Sequence, residues 1–318
     1  MKRTKHMKTI MLKAGLLLGA ITTLLPTRAH ANPGDIFVSD ACAHIYQFAP
    51  NGSVTVFASG LNGPRGLAFD NAGNLYAAIY GDDGAGDGMV VKFVNGIPST
   101  VATNLGNPEG IAFDSLGNLY VADVYGALYK IAPNGAVSTV FIVPNYTPGT
   151  FQGHQYFGVA VDKKNNVYLA DTMPSNGTVW KFTPQGAMSV FASNIQPMGL
   201  TIRNGNNLFV STVYEDGAGD NGADIPGGGK IVQIAPSGAQ TLVASGLGDL
   251  DLRGIGLDHF GNFYVTDHAF GNHGNPCCFN YRRIYDNVLK VTNGTATIFA
   301  SIADPNPSCA LEFLTIQP

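Results

Sequence analysis

Residues 108–123 read PEGIAFDSLGNLYVAD, and three other stretches paraphrase them: PRGLAFDNAGNLYAAI at 64–79, YFGVAVDKKNNVYLAD at 156–171 and LRGIGLDHFGNFYVTD at 252–267. Aligning the chain on the glycine of this phrase gives Gly66, Gly110, Gly158, Gly199 and Gly254, spaced 44, 48, 41 and 55 residues apart. Repeats of this length belong to propellers and solenoids. Within one period the chain writes GIAFD, NLYVAD, ALYKIAP and VSTVFIV, each alternating apolar and polar residues and each bounded by Gly, Asn or Pro. Alternation with period two predicts four antiparallel strands per unit, which excludes helical solenoids. The joints DNAGN, DSLGN and DHFGN put Asp, Gly and Asn where a hairpin needs positive φ or a side chain bonded to the backbone. A lone four-stranded unit leaves an apolar face bare, so the units must stack on one another.

The ends of the chain set the number of units. GDIFVSD, HIYQFAP and VTVFASG at the start match second, third and fourth strands, whereas CALEFLTIQ at the end matches only a first strand. Head and tail therefore complete one blade. The fold class expected is all-β, a six-bladed β-propeller of four-stranded antiparallel blades, closed by N- and C-terminal strands in one blade.

Residues 1–31 are set apart. Lys2, Arg3, Lys5, Lys8 and Lys13 precede an apolar run from Ala14 to Leu25, and Ala29-His30-Ala31 offers a small-x-small cleavage site. This is the layout of a secretory signal peptide cleaved after Ala31, with the propeller occupying 32–318 and the destination secreted or periplasmic. The run is shorter than the ~20 residues that span a bilayer, and none later is long enough. Of 18 Lys and Arg against 22 Asp and Glu, the leader takes six basic residues and no acidic one, which leaves the mature chain near −10. An acidic surface argues against nucleic acid and anionic membranes as partners. A monomer that binds a small molecule, a carbohydrate or a protein is expected.

The phrase P-x-G-[IL]-A-F-D followed by G-N-L-Y-V-A-D resembles the NHL repeat, and the chain after its leader resembles the six-bladed NHL and gluconolactonase-like propellers. The resemblance implies the fold; such propellers host lactonases, lyases and binding modules alike. It also implies that Glu109 stands where gluconolactonase-like enzymes have a metal-binding glutamate. Met198 stands where an aspartate ligand is wanted, and no asparagine ligand is matched. The P-H-G slot of amidating-lyase propellers holds Arg65, Glu109, Met198 and Arg253 instead of His, and the LWFTE-like strands of virginiamycin B lyase are LYVAD here.

Candidate sites lie where the repeats disagree. The joins between second and third strands range from ACA after Asp40 to the nineteen residues from His268 to Asp286, and all lie on one face. Insertions confined to one face of a repeat array mark a binding surface. At the starts of the first strands the six slots read Arg65, Glu109, Phe157, Met198, Arg253 and Cys309, a set able to hold an anionic or hydroxylated ligand or to pair internally. At the ends of the second strands Asp40, Asp123, Asp171 and Asp267 recur, and repetition in four blades points to a structural role. His44, His154, His268 and His273 share that face. Together Glu109, Asp171 and Asp267 form the candidate divalent-metal set, with Asp123, His154 and His268 as further ligand-binding candidates. Two DGAGD loops, in blades 2 and 5, bring Asp83, Asp87, Asp216 and Asp220 as a candidate calcium pair, the commoner reading of such a loop being a solvated acidic turn. No catalytic residue is assigned. The expectation is a recognition module, with a metal-dependent lactonase-like hydrolase or lyase as the alternative.

The four cysteines, Cys42, Cys277, Cys278 and Cys309, allow three pairings. In a ring closed by its two termini, Cys42 and Cys309 fall in the same blade and on the same face, which predicts their bridge and leaves Cys277 and Cys278 as a vicinal pair or two thiols.

Overall fold

The computed structural model describes residues 31–82, 86–173, 177–203, 206–212, 228–247, 251–268, 285–303, 309 and 311–318. Residues 1–30 of the leader, the loops at 213–227 and 269–284, and with them Asp83, Asp216, Asp220, His273, Cys277 and Cys278, lie outside those residues.

Six four-stranded antiparallel sheets form the blades of a propeller. Blade 1 takes Ile36–Asp40, Ile45–Phe48 and Val54–Ala58 from the head of the chain and its innermost strand, Leu311–Ile316, from the tail. The other innermost strands are Pro64–Phe69 in blade 2, Pro108–Phe113 in blade 3, Tyr156–Val161 in blade 4, Pro197–Arg203 in blade 5 and Asp251–Leu257 in blade 6. Each packs against its neighbours in turn, and Leu311–Ile316 packs against both Asp251–Leu257 and Pro64–Phe69, so the ring is closed as expected.

The six interfaces between blades are six apolar clusters. Between blades 4 and 5, for example, Tyr168, Val179 and Ile195 meet Leu200, Leu208 and Ile234; between blades 6 and 1, Tyr264 and Val288 meet Ile36, Val38 and Phe48. This is the stacking that the alternating pattern demands, each strand presenting one set of side chains to the next blade.

The DxxGN-type turns hold themselves shut. Asp114 accepts the backbone N–H of Leu116 and Asn118, and the Asn118 amide returns to its second oxygen. Asp70 with Asn74, Asp162 with Asn166 and Asp258 with Asn262 repeat the arrangement. A carboxylate of this kind replaces the hydrogen bonds that a tight turn cannot make along the strands.

Candidate functional site

Every innermost strand carries a bulge at the same place. In blade 2 the register passes from Pro64 opposite Ile79 to Leu67 opposite Ala77, so Arg65 and Gly66 together oppose the single residue Ala78. The same two-against-one step occurs at Glu109-Gly110, Phe157-Gly158, Met198-Gly199 and Arg253-Gly254. In blade 1, Leu311 faces Asp40 and Leu314 faces Val38, which makes Glu312-Phe313 the bulged pair. The sixth slot of the ring therefore belongs to Glu312, three residues beyond Cys309, the residue the sequence alignment puts there. The cause of the error is local: Phe313 stands where the five other blades have glycine, so the phrase is unrecognisable in the tail.

Glycine is required at the bulges because neighbouring blades approach closely there. A Cβ on Gly110 would lie 2.2 Å from the Phe157 carbonyl oxygen, and one on Gly66 2.3 Å from that of Glu109. A bulge of this kind bends its strand and re-aims the first side chain. It does so around the propeller axis, at the loop-rich end, because the residues just before the bulges, Pro64, Pro108, Tyr156, Pro197, Leu252 and Leu311, each face the last or next-to-last residue of the second strand.

Four of the six re-aimed side chains are charged. Arg253 Nη1 bonds Glu312 Oε2 at 2.7 Å, Arg65 Nη1 lies 3.8 Å from Glu312 Oε1, and Arg65 Nε lies 3.4 Å from Glu109 Oε1. The glutamates are 3% and 2% exposed and both arginines 14%. Burial pushes the Glu109 carboxyl up to about 7, against the opposing pull of Arg65. Its Oε2 is buried and accepts no hydrogen bond among the described residues, and Arg65 Nε and Nη1 donate none. On the other side of the axis Phe157, Met198 and Val124 form an apolar cluster with Phe313, and Tyr80 and Tyr125 pack against it. Phe313 belongs to blade 1, yet Val124, Phe157 and Met198 belong to blades 3, 4 and 5; its ring crosses the axis. Together with Phe313, four of the bulge glycines, Gly66, Gly110, Gly158 and Gly199, and the apolar residues that follow the bulges line a narrow axial cavity of about 40 Å³.

The residue opposing each bulge fixes the charged half. Ser211 Oγ accepts from Gly199 N–H at 3.0 Å and lies 3.5 Å from the Arg253 carbonyl of the next blade. Thr266 Oγ1 accepts from Gly254 N–H and donates to the Glu312 carbonyl. Ser39 Oγ donates to the Arg65 carbonyl at 2.7 Å and accepts from Phe313 N–H at 3.2 Å. Three buried hydroxyls thus clip the backbones of Arg253, Glu312 and Arg65, whereas blades 2, 3 and 4 place Ala78, Ala122 and Ala170 at the equivalent point. The signal was present in the sequence as Ser-Asp, Ser-Thr and Thr-Asp against Ala-Ile and Ala-Asp, unread because each pair closes an ordinary-looking strand.

The recurring aspartates are braces. Asp123 accepts from the N–H of Asn107 and of Tyr125 and from the Tyr146 hydroxyl, and burial pushes it up to about 6. Asp171 accepts from the Gln155 N–H, from Trp180 Nε1 at 3.0 Å and shares a 2.6 Å contact with His154 Nδ1; burial raises it as well. Asp40 accepts from three successive backbone N–H groups, of Cys42, Ala43 and His44, and meets His44 Nδ1 at 2.7 Å. Asp267 is pushed up to about 6 by burial against a hydrogen bond from Asn287. His268 ends its strand, and its side chain lies outside what is described.

Among the described residues the candidate metal set Glu109, Asp171 and Asp267 is not brought together as metal donors. Glu109 faces guanidinium groups, Asp171 is fully engaged by three donors, and among the described residues no three His, Cys, Asp or Glu side chains come together as metal donors. In the first acidic loop Asp87 Oδ1 accepts the Asp82 N–H at 3.0 Å. The Cys42–Cys309 disulfide is present, with the two Cα atoms 5.2 Å apart.

No protein-family description matches the chain, and no curated protein does so significantly. Solved structures do. A protein of unknown function from Bacteroides caccae superposes with a TM-score of 0.59 at 10% identity, over 90% of this chain and 100% of its own. A gluconolactonase from Xanthomonas campestris gives 0.57 at 14% identity, over 90% and 91%. The fold is that of the gluconolactonase-like propellers. Virginiamycin B lyase from Staphylococcus aureus, in a structure with quinupristin, gives 0.54 at 14% identity, over 85% and 86%. At such identities the likeness speaks to architecture, and the site must be argued from this chain's residues.

Proposed function

We propose that this protein is an exported propeller that recognises a small molecule at the axial mouth of its loop-rich face. One observation carries the reading: bulges in all six innermost strands turn their side chains to the axis, four of those are buried charges, and three of the four have backbones held by dedicated hydroxyl clips. Buried ion pairs contribute little net stability compared with apolar packing of equal volume, so packing alone gives no reason for the arrangement. A disulfide joining residues 267 apart, and the charged-then-apolar leader, support work in an oxidising compartment outside the cytoplasm. No helix among the described residues is long and apolar enough to cross a membrane.

A second reading is favoured by Glu109. A buried carboxyl near 7 is poised for general acid–base work, and a hydrolase using it as base would need no metal. A thermal-shift screen of small acids, sugars and lactones, run with and without chelator and followed by a hydrolysis assay on the same lactones, separates the readings. Recognition predicts one chemical class raising Tm in the wild type and not in Arg253→Met, with no turnover. Chelator-sensitive lactone hydrolysis would contradict both.

A further inference from the structure

We infer that the ligand of the axial mouth is a small monocarboxylate bearing a flat apolar group, its carboxylate held by Arg65 and Arg253 and its apolar end against Phe157, Met198 and Phe313. The inference rests on the reading that this mouth is the binding site, and it adds the class of ligand.

The first support is the division of the mouth. The charged side chains Arg253, Glu312, Arg65 and Glu109 come from blades 6, 1, 2 and 3, which are consecutive in the ring, and the apolar Phe157 and Met198 come from blades 4 and 5, joined by Val124 just past the end of the second strand of blade 3. Guanidinium groups thus stand on one side of the axis, and on the other an aromatic and thioether cluster packed on Phe313. Arg65 also lies 4.8 Å from the Tyr80 ring and Arg253 5.7 Å from that of Phe157, so each cation borders an aromatic surface. Such a surface accepts a planar apolar group.

The second is the state of Arg65. Arg253 makes a short charge-assisted bond to Glu312, at 2.7 Å, whereas Arg65 stands 3.4 Å and 3.8 Å from its two carboxylates, and its buried Nε and Nη1 donate no hydrogen bond among the described residues. A guanidinium presents its donors in a planar fork matched to two oxygens of one carboxylate. Arg253 thus has one close carboxylate, whereas among the described residues Arg65 has two longer ion pairs, to Glu109 and Glu312, and no carboxylate that meets it with both oxygens.

The third is Glu109, whose Oε2 is buried without a hydrogen-bond partner among the described residues. The charged groups that face it are Arg65, Glu312 and Arg253. Carrying a proton, it donates that Oε2–H to a ligand carboxylate, and the two arginines then balance Glu312 and the ligand. With burial holding this carboxyl near 7, binding takes up a proton in neutral solution.

The test is titration calorimetry with phenylacetate on the full mature chain, compared with acetate, phenylacetamide and phenethylamine. It is repeated at pH 6.5 and 8.5 in buffers of different ionisation enthalpy. Phenylacetate should bind with uptake of a proton, on the order of tenfold tighter than acetate and phenylacetamide, and should weaken by roughly tenfold per pH unit above about 7. Arg65→Met should abolish binding. Should that variant not fold, Glu109→Gln, which keeps the shape and cannot change charge, should bind phenylacetate with no proton uptake and no fall in affinity up to pH 8.5. Phenylacetamide or phenethylamine binding as well as phenylacetate, or no binding by any of the four, overturns the assignment. Amide chemical shifts tell the two levels apart: a neutral probe that perturbs Gly66, Gly110 and Gly158 leaves the mouth as the site and removes only the ligand class, whereas phenylacetate perturbing other regions alone removes the site itself.

Discussion

Glu109 and Glu312 are nearly as buried as any leucine in the core, and each faces guanidinium groups. The raised groups have a consequence for stability. Glu109 rises from 4.5 to about 7, and Asp123 and Asp267 rise from 3.8 to about 6, in each case through burial. A carboxyl whose folded pKa exceeds its unfolded one favours the folded state fully below the unfolded value and loses that contribution as pH rises through the folded one. Urea denaturation should therefore show stability falling between about pH 4 and pH 7. Glu109→Gln should remove a share on the order of 2–3 kcal/mol of that fall, and an unchanged slope in the variant would show Glu109 titrating normally. Arg65, Glu109 and Arg253 were legible as axial residues because glycine follows each of them in a repeated phrase. Glu312 was not, because Phe313 erases that phrase, and its role as the shared partner of two arginines is visible only in three dimensions.

Among the elements, the bulged inner strand is the unit that converts repeat into site. It turns one side chain per blade to the axis and brings the following glycine against the next blade's backbone. Gly110→Ala should destabilise the protein by about 3 kcal/mol or more, since its Cβ would meet the Phe157 carbonyl at 2.2 Å and the neighbouring backbone cannot yield cheaply. A melting temperature equal to the wild type would mean that the blades are looser than described. Ser39→Ala should cost less, about 1–3 kcal/mol, by leaving the buried Phe313 N–H without its acceptor. Strands and turns were readable from alternation and from Asp-x-x-Gly-Asn spacing. Bulges were not, because they depend on register against a partner strand, which one sequence does not encode locally. The same applies to the terminal aspartates: recurrence suggested a brace, and the different donors that complete each brace, Tyr146 for Asp123 and His154 with Trp180 for Asp171, come from separate segments.

For the molecule as a whole, closure depends on one strand and one covalent bond. Leu311–Ile316 supplies the sixth inner strand, and Cys42–Cys309 ties its start to the join that follows Asp40. Loop-length estimates for a bridge spanning so many residues give about 5 kcal/mol, and measured gains are often smaller. Reduction under native conditions should lower Tm markedly, and deletion of residues 307–318 should lower it further, because it also removes Glu312 and the apolar interface of Leu311 and Leu314 with Tyr264. A truncated chain as stable as the full one would mean that the ring does not need its tail. This closure was readable from the two ends because a chain that begins on a second strand and finishes on a first can complete its repeat only by joining them.

The most direct test of the axial mouth as the working site is a crystal of the mature protein soaked with a library of small acids, polyols and aromatic fragments. The account predicts that fragments collect at the mouth, within hydrogen-bonding distance of Arg65 or Arg253 and in contact with Phe157 or Phe313. Fragments that gather only on the outer strands or on the opposite face, with the mouth empty across the library, would contradict it.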